Sequence, residues 1–425
     1  MKKIAILVTC LAVIAGLVTV QAQQFKGRTL SIITFAGEFK DQGFVADFEK
    51  MTGAKVDLQI VPNENYESKM TPLLKTGKGV PDVFTGEAGY VKEYVDSGVW
   101  AVLSKAPFNA NTKDMFPYAV EMGTNKKGEV VALTWQTTPG GWFYRRSMAK
   151  TYFGTDDPAV IGKMFSSWES VLQAAETIKQ KSGGKHYFFS GLGDGFSRIF
   201  TANRAEPWVN AKNEFVIDPT IVDYFKMAKT FRDKGYDAKL ADWSGPFFDS
   251  MNSTPSDANV FVFGWPTWGL HFVLNGQTKS NGDWAMAPSP KPYTWGGTWM
   301  GIYKDSKNKD VAWEFIKMLT QDKKYMEDYA LRSGDFMSDR TVVEKLIPSF
   351  KGKAAALGPN DNHYEFFMNQ VKFVSGKTIS SEDRPIMQMV NTVLNEYLEN
   401  KKDLNQAMTD LKGRVKTAYP RWIIK

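Results

Sequence analysis

Residues 29–61, TLSIITFAGEFKDQGFVADFEKMTGAKVDLQIV, decide the fold class of this chain. The first seven residues are rich in Ile and Thr, which predicts a short strand. Apolar residues at helical spacing follow over 40–51, and residues 55–61 alternate apolar and polar side chains as a half-buried strand does. This order of strand, helix and strand is typical of a parallel sheet with a crossover helix.

The same alternation continues beyond this stretch. The spacing predicts a helix over 66–75, a short strand at 82–84 and a helix over 90–97. Further helices are predicted over 168–181, 219–234, 310–319, 384–398 and 403–417, with a strand at 259–263. The chain is longer than one hydrophobic core usually supports, so we expect two lobes. No long Gly/Ser linker separates them, which indicates that the chain crosses between the lobes more than once.

The N-terminus, residues 1–22, has the features of a cleaved signal peptide. Two lysines precede an uncharged apolar run over 4–20, and Ala22 is suited to the last position before cleavage. A membrane anchor is the alternative, but the run is at the short end of the spanning range. Cys10, the only cysteine, follows Thr9 rather than a small lipobox residue, so lipidation is disfavoured. The secreted chain would then contain no disulfide and no thiol site.

Composition and motifs argue against several functions. The net charge of +7 is scattered along the chain, which does not favour a nucleic-acid partner. Val371 stands where a P-loop requires glycine, and the GLGDG stretch at 191–195 lacks the dinucleotide-binding spacing. The three histidines are isolated, and there is no GxSxG motif. We therefore predict no catalytic residue, no cofactor and no metal site, although 46 acidic residues leave a glycosidase pair open.

Tryptophans in loops are the most informative feature of the composition. The chain has 13 Trp, many of them beside Gly or Pro just after predicted strands. Ligands of open α/β sheets bind at the carboxyl ends of strands. An indole face can stack on the apolar face of a pyranose, while carboxylates accept hydrogen bonds from its hydroxyls. This pattern favours a sugar ligand. Trp100, Trp243 and Trp313 are instead assigned to core packing.

Four further segments carry a resemblance to a known family. They are NYESKMTPLLKTGKGVPDVF (65–84), SSWESVLQAAETIK (166–179), FVFGWPTWGL (261–270) and GGTWMGIYKDSKNKDVAWEFIKMLTQDKKYMEDYALRSGDFMSDR (296–340). Together with 29–61, and in this order, they resemble the extracellular solute-binding proteins of carbohydrate ABC transporters, the family that includes maltose-binding protein. The resemblance runs from about residue 29 to residue 419.

This resemblance implies an α/β, two-lobed periplasmic-binding-protein fold with three interlobe crossings and a ligand cleft between the lobes. It places lobe I at 23–137 plus 288–330 and lobe II at 138–287 plus 331–425. The crossings are expected near 134–139, 286–292 and 322–334. A protein of this kind is expected to bind a sugar, specifically an oligosaccharide, outside the cytoplasmic membrane. It then closes its lobes and presents the sugar to a membrane ABC permease, and we expect a periplasmic or extracellular monomer.

The resemblance also implies a set of ligand-binding residues. Trp residues are expected to stack on the sugar and acids to accept its hydroxyls. Trp299 is the preferred stacking face within 295–303, and Trp295 is placed at the rim. Arg198 has three open roles: donor to a sugar oxygen, partner of an acidic sugar, or structural salt bridge. The predicted residues are Glu38, Glu87, Trp142, Asp194, Phe196, Trp208, Trp265, Trp268, Trp295, Trp299 and Asp335.

Two other functions stay open on the sequence. The same fold could bind a non-sugar solute such as a polyamine, because acids and aromatic residues occur together in the predicted cleft. A secreted glycan-cleaving enzyme would also need an aromatic cleft. It is disfavoured because the chain is accounted for without a marked catalytic pair.

Overall fold

The computed structural model describes residues 24–425, so the predicted signal peptide and Cys10 lie outside the described residues. The described part contains eight strands and seventeen α-helices. The strands are β1 Thr29–Thr34, β2 Lys55–Ile60, β3 Val83–Glu87, β4 Gly140–Arg145, β5 Tyr187–Phe189, β6 Val260–Pro266, β7 Trp284–Ala287 and β8 Thr298–Ile302. The helices of the N-terminal half are α1 Glu38–Asp41, α2 Phe44–Thr52, α3 Asn63–Thr76, α4 Val91–Ser97, α5 Pro117–Met122, α6 Arg146–Phe153, α7 Pro158–Met164 and α8 Trp168–Lys181.

The remaining helices follow in chain order. They are α9 Asp194–Thr201, α10 Pro219–Lys234, α11 Gly245–Met251, α12 Lys309–Thr320, α13 Lys323–Ser333, α14 Arg340–Leu346, α15 His363–Gln370, α16 Asp383–Leu398 and α17 Leu404–Ala418. One π-helical turn, Gly269–Val273, follows β6. Among the described residues, no helix is both long and apolar enough to cross a bilayer.

Two four-stranded sheets form the cores of two lobes. The strand order is β2-β1-β3-β8 in the first lobe and β5-β6-β4-β7 in the second. β1 runs parallel to β2 and to β3, which confirms the predicted crossover arrangement. β8 joins the first sheet antiparallel to β3, although more than two hundred residues separate them in sequence. The first lobe is therefore assembled from two distant stretches of the chain.

The helix boundaries follow from local chemistry. α8 begins at a capping box in which Ser167 and Ser170 satisfy each other's backbone N–H groups. α10 has the Asp218 carboxylate at its N-cap and ends at Gly235 in the left-handed region. The helix predicted over 40–51 is in fact split into α1 and α2. Gly43, with φ of 81°, turns the chain between them, because helical geometry requires a negative φ.

The crossings lie side by side between the lobes. The first, which includes Pro139, forms a bridge to Thr294 in the link between β7 and β8, and Gln136 forms a bridge to Met337 of the third. The prediction of the third crossing at 322–334 is wrong. Most of that range is α13, whose Tyr325 hydroxyl donates to Asp47 of α2 at 2.8 Å and so belongs to the first lobe. The stretch beside the first crossing is 335–338, where Ser338 N–H donates to the Trp135 carbonyl at 2.8 Å.

Candidate ligand-binding cleft

A cleft of about 800 Å³ lies between the lobes. The first lobe lines it with residues that end or follow its strands, such as Phe35 after β1 and Glu87 at the end of β3. The second lobe contributes Asp194 at the start of α9 and Trp268 just after β6. The carboxyl ends of these strands therefore face the same space, as expected for a binding site in an open α/β sheet.

Four tryptophans form one contact group in and beneath this cleft: Trp243, Trp265, Trp268 and Trp295, here called the tryptophan cluster. Trp265 and Trp295 are parallel, with ring centroids 5.3 Å apart. Trp243 and Trp268 form a second parallel pair at 5.9 Å. The two pairs meet edge to face, with Trp268 and Trp295 5.2 Å apart at 71°. Such offset and perpendicular arrangements are the favoured geometries of aromatic pairs.

The members of the tryptophan cluster differ in exposure. Trp265 is fully buried and Trp295 is 7 % exposed, whereas Trp243 is 49 % exposed and Trp268 is half-buried. The Trp268 indole N–H donates to the Trp295 carbonyl at 2.9 Å, which fixes the orientation of its ring. Trp243 and Trp268 therefore offer faces to the cleft, while Trp265 supports them from below.

The backbone around the cluster is adapted to these rings. Gly296 has φ of 73°, and a Cβ atom there would lie 2.7 Å from the Trp268 indole nitrogen. Only glycine allows the chain to pass this close beneath the ring. The π-helical turn that begins directly after Trp268 places its ring beside this chain, and such turns are frequent at functional sites.

Two half-buried carboxylates define the first-lobe side of the cleft. Burial raises the pKa of Glu38, which opens α1. Burial also raises the pKa of Glu87, and the nearby Arg198 guanidinium opposes that increase. The Glu87 carboxylate accepts the Gly89 N–H at 2.6 Å, so its orientation is set by the loop after β3. Carboxylates held in this way can accept hydrogen bonds from ligand hydroxyls.

Arg198 forms a salt bridge within α9. Its guanidinium lies 3.2 Å from the Asp194 carboxylate, one helical turn away, and Glu87 adds a second negative charge nearby. Of its three predicted roles, the structure thus shows the salt bridge. With two carboxylates offsetting its charge, Arg198 is poorly suited to attract an acidic sugar.

Five predicted residues line the cleft: Glu38, Glu87, Asp194, Trp268 and Trp295. The other six are buried in the structure and do not line it, so they cannot offer a face or an oxygen to a ligand there. These six are Trp142, Phe196, Trp208, Trp265, Trp299 and Asp335.

Two of these corrections concern the second-lobe core. Trp142 lies in the middle of β4, and its ring contacts Phe165 edge-on at 5.0 Å. Phe196 is on the inner face of α9, where it contacts Phe231 at 5.1 Å. Both side chains point into the packed interior because the sheet and the helix bury these faces. They contribute to stability and not to the cleft surface.

Two further tryptophans also have structural roles. Trp299 lies on β8, and its indole N–H donates to the Ala119 carbonyl of α5 at 2.9 Å. The sequence analysis predicted that the Trp299 ring stacks on the sugar, but the ring faces the first-lobe core. Trp208 donates to the Asp383 carboxylate at 3.2 Å and lies under the Arg204 guanidinium. Since Asp383 lines the cleft, Trp208 holds a cleft residue in place from behind.

Asp335 has a structural role in the third crossing. Its carboxylate accepts hydrogen bonds from the Trp135 indole and the Tyr329 hydroxyl, each at 3.2 Å. Burial, reinforced by the negative charge of Glu38, raises the pKa of Asp335 to about 7. The predicted role as a hydroxyl acceptor is therefore wrong, because tryptophan and tyrosine donors occupy this group.

The sequence analysis missed several cleft residues. Trp243 was assigned to the core but is exposed in the cleft, and its neighbours Ser244-Gly245-Pro246 were the signal that applied to the other loop tryptophans. Phe272 lies on the π-helical turn and is 43 % exposed. Asp383 and Arg384 come from the start of α16, a helix whose sequence carries no binding motif. Within residues 24–425, no three His, Cys, Asp or Glu side chains are grouped as metal ligands.

Comparison with known proteins places the chain in a family. The sequence profile of the bacterial extracellular solute-binding proteins matches residues 36–326. The chain belongs to this family. An extracellular solute-binding protein of family 1 has the same fold, with a TM-score of 0.78 and 17 % identity over 92 % of this chain and 99 % of that one.

Two sugar-related structures are also similar to this solute-binding protein. The sugar-binding protein MalE from Xanthomonas citri superposes with a TM-score of 0.73 and 19 % identity, covering 93 % of this chain and 98 % of that one. The ABC transporter associated binding protein from B. animalis subsp. lactis Bl-04, in complex with β-1,6-galactobiose, has a TM-score of 0.72 and 19 % identity over 94 % and 99 %. At these identities the likeness establishes the two-lobed solute-binding fold.

Proposed function

We propose that this protein binds a neutral oligosaccharide in the cleft and delivers it to an ABC permease by closure of the lobes. The observation that carries this proposal is the placement of the Trp243 and Trp268 indole faces in the same cleft as the Glu38 and Glu87 carboxylates. Each sugar ring stacked on Trp243 or Trp268 would contribute on the order of 1 kcal/mol beyond its buried area. The hydroxyls at the edge of the same ring would donate to Glu38 and Glu87. The similar proteins described as sugar-binding support this assignment.

The charges around the cleft argue against an acidic ligand. Its lining includes the carboxylates of Glu38, Glu64, Glu87, Asp194 and Asp383 and the guanidinium groups of Arg198 and Arg384. Both arginines are already paired, Arg198 with Asp194 and Arg384 with Glu67. An acidic sugar would therefore meet unneutralised negative charge in a space of low dielectric, which is unfavourable.

Contacts between the lobes support a closing mechanism. Arg384 of α16, in the second lobe, pairs with Glu67 of α3 and lies 5.1 Å from the Tyr90 ring centroid, both in the first lobe. On another part of the interface, the Gly376 N–H donates to the Glu121 carboxylate of α5 at 2.7 Å. These polar contacts can break and re-form as the lobes rotate, which is the usual mode of domain closure around a solute.

The remaining parts of the proposal concern location and partners. Export by the predicted signal peptide would bring the protein to the periplasm or the cell exterior. There it would act as a monomer that meets permease subunits transiently. No chemistry on the sugar is required of it, so binding rather than cleavage is the proposed role.

A ligand screen tests this proposal directly. Thermal-shift and tryptophan-fluorescence titrations would compare malto-oligosaccharides, β-1,6-galacto-oligosaccharides, oligogalacturonates of matched length and spermidine. We expect a neutral series to raise the melting temperature and change the Trp emission, with no response to oligogalacturonate. A response to spermidine alone would contradict the sugar assignment. New reducing ends after prolonged incubation with the bound sugar would show an enzyme.

A further inference from the structure

A second space of about 390 Å³, here called the side chamber, adjoins the cleft in the second lobe. Asp194, Ser197 and Asn391 line both spaces, so the side chamber meets the cleft at these three polar side chains. The other walls of the side chamber come from α10, the C-terminal half of α16 and the loop at 239–242. The two spaces therefore adjoin at the start of α9 and on the exposed face of α16.

The loop of the side chamber is held in a defined position. A Cβ atom at Gly193 would lie 2.2 Å from the Asp242 carboxylate, and one at Gly191 would lie 2.3 Å from the Leu240 carbonyl. Leu240 N–H also donates to the Ser190 carbonyl at 3.0 Å. The glycines of the GLGDG stretch therefore allow this loop to pack against the start of α9.

The polar groups of the side chamber include free acceptors. One oxygen of the Asp242 carboxylate accepts the Asp194 N–H at 2.7 Å, and no donor from residues 24–425 bonds to the other. Asn391 and Asn395 lie one turn apart on α16, and their side-chain amides make no hydrogen bond to the described part of the chain. Leu394 and Leu398 add an apolar surface between them. Amides, a carboxylate and an apolar surface together match the edge and face of a pyranose.

We infer that the side chamber is a subsite for a further sugar unit, so that the solute is an oligosaccharide that extends past Asp194 beyond the main cleft. This inference rests on the proposed function and adds to it the length and path of the ligand. A mono- or disaccharide confined between Glu87 and the tryptophan cluster would leave the side chamber to water. A longer chain would place hydroxyls beside Asp242 and Asn395.

Isothermal titration with sugars of increasing length tests the inference. Maltose to maltopentaose and the β-1,6-galacto-oligosaccharides of two to four units would be titrated into the full chain and into Asn395→Leu. We expect the longer members of one series to bind more tightly than its disaccharide. In Asn395→Leu the affinity for the longer sugars should fall about fivefold, the effect of one lost hydrogen bond. The affinity for the disaccharide should be unchanged.

Two companion variants make the outcome specific. Asp242→Asn keeps an acceptor for the Asp194 N–H but replaces the second oxygen, and it should show the same length-selective loss. Asn405→Leu changes another exposed asparagine, on α17 outside both spaces, and should bind every sugar as the unchanged chain does. Equal affinity for all lengths, or equal losses at every length, would overturn the subsite but leave sugar binding intact. Binding of no sugar at all would overturn the proposed function as well.

Discussion

The two walls of the cleft differ in chemistry. The first-lobe wall presents the carboxylates of Glu38 and Glu87, whereas the second-lobe wall presents the rings of Trp243, Trp268 and Phe272. The second-lobe wall also carries Asp194 and Asp383, but both of these carboxylates are paired with arginines. Stacking on aromatic faces tolerates many sugars, but a desolvated carboxylate left without a donor is unfavourable. We therefore expect the second-lobe wall to provide most of the affinity and the first-lobe wall most of the selectivity. Because the walls belong to different lobes, a ligand satisfies both only when the lobes are together.

Removal of an aromatic face from the second-lobe wall should have the largest effect. Trp268→Ala deletes a stacking surface and removes the support of Trp243, so we expect about a hundredfold weaker sugar binding, as for a central hot-spot residue. Isothermal titration measures the loss. Trp422→Ala removes another partly buried tryptophan, stacked on Tyr419 outside the cleft, and should leave affinity unchanged. Equal affinities for the two variants would contradict the assignment of the tryptophan cluster.

The first-lobe wall can be weakened separately. Glu87→Gln keeps the side-chain shape but replaces a charged acceptor, so we expect about tenfold weaker binding of the preferred sugar, as for a hydrogen bond to a charged group. The ratio of affinities for two epimers should change more in this variant than in Trp268→Ala. Glu169→Gln, at an exposed site on α8, serves as the control. An unaltered epimer ratio in Glu87→Gln would show that selectivity comes from elsewhere.

A buried tryptophan should behave differently from those in the cleft. Trp142→Phe leaves a void in the second-lobe core, so we expect the free energy of unfolding to fall by about 1–3 kcal/mol. Sugar affinity should remain unchanged, because the ring does not reach the cleft. Denaturant unfolding and titration would be performed on the same preparation. Weaker sugar binding by Trp142→Phe without a loss of stability would show that Trp142 is a ligand-binding residue.

The acids near the first-lobe wall predict a pH dependence of stability. Burial, reinforced by the negative charge of Glu38, raises the pKa of Asp335 to about 7, from an ordinary value of 3.8. Between these pH values the folded chain holds a proton that the unfolded chain has lost. The contribution of Asp335 to the free energy of unfolding therefore falls as pH rises from about 4 to about 7 and is constant above that.

Replacement of this carboxyl group isolates its contribution. In Asp335→Asn the free energy of unfolding should decline less steeply over that pH range than in the unchanged chain. Denaturant titrations at several pH values from 4 to 8 provide the slopes. Asp328→Asn, on the exposed face of α13, is the control and should keep the original slope. Identical slopes in all three proteins would mean that Asp335 does not titrate in this range.

The smallest expected effect concerns the contact between the walls. Arg384 and Glu67 are each about one-third exposed, so their salt bridge should stabilise the closed form by less than about 1 kcal/mol. Arg384→Ala should thus weaken sugar binding by at most about fivefold and increase the radius of gyration without sugar. Solution scattering measures the second quantity. A double-mutant cycle with Glu67→Ala would show no coupling if the pair does not hold the lobes together.

Much of the fold could be predicted from the sequence because it depends on local patterns. Helices α8 and α10 have the predicted boundaries, and β1, β2 and β3 form the predicted parallel arrangement. Helical and strand periodicity, capping residues and glycine stops act within a few residues of each other. The third crossing was misplaced although Gly334 marks the end of α13, because a helix stop does not show to which lobe the helix belongs. The bonds from Tyr325 and Arg332 to Asp47, which hold α13 on the first lobe, join residues far apart in sequence.

The candidate site shows the same division. Sequence alone was sufficient for the family, for the two-lobed α/β fold and for the importance of acids and tryptophans after strands. It could not separate Trp268, which lines the cleft, from Trp299, which is buried, because both follow small residues in aromatic stretches. Their difference is decided by distant partners: Trp243 and Trp295 surround Trp268, whereas Ala119 and Tyr118 of α5 cover Trp299. Whether a ring is a core residue or a ligand surface depends on what the tertiary fold packs against it.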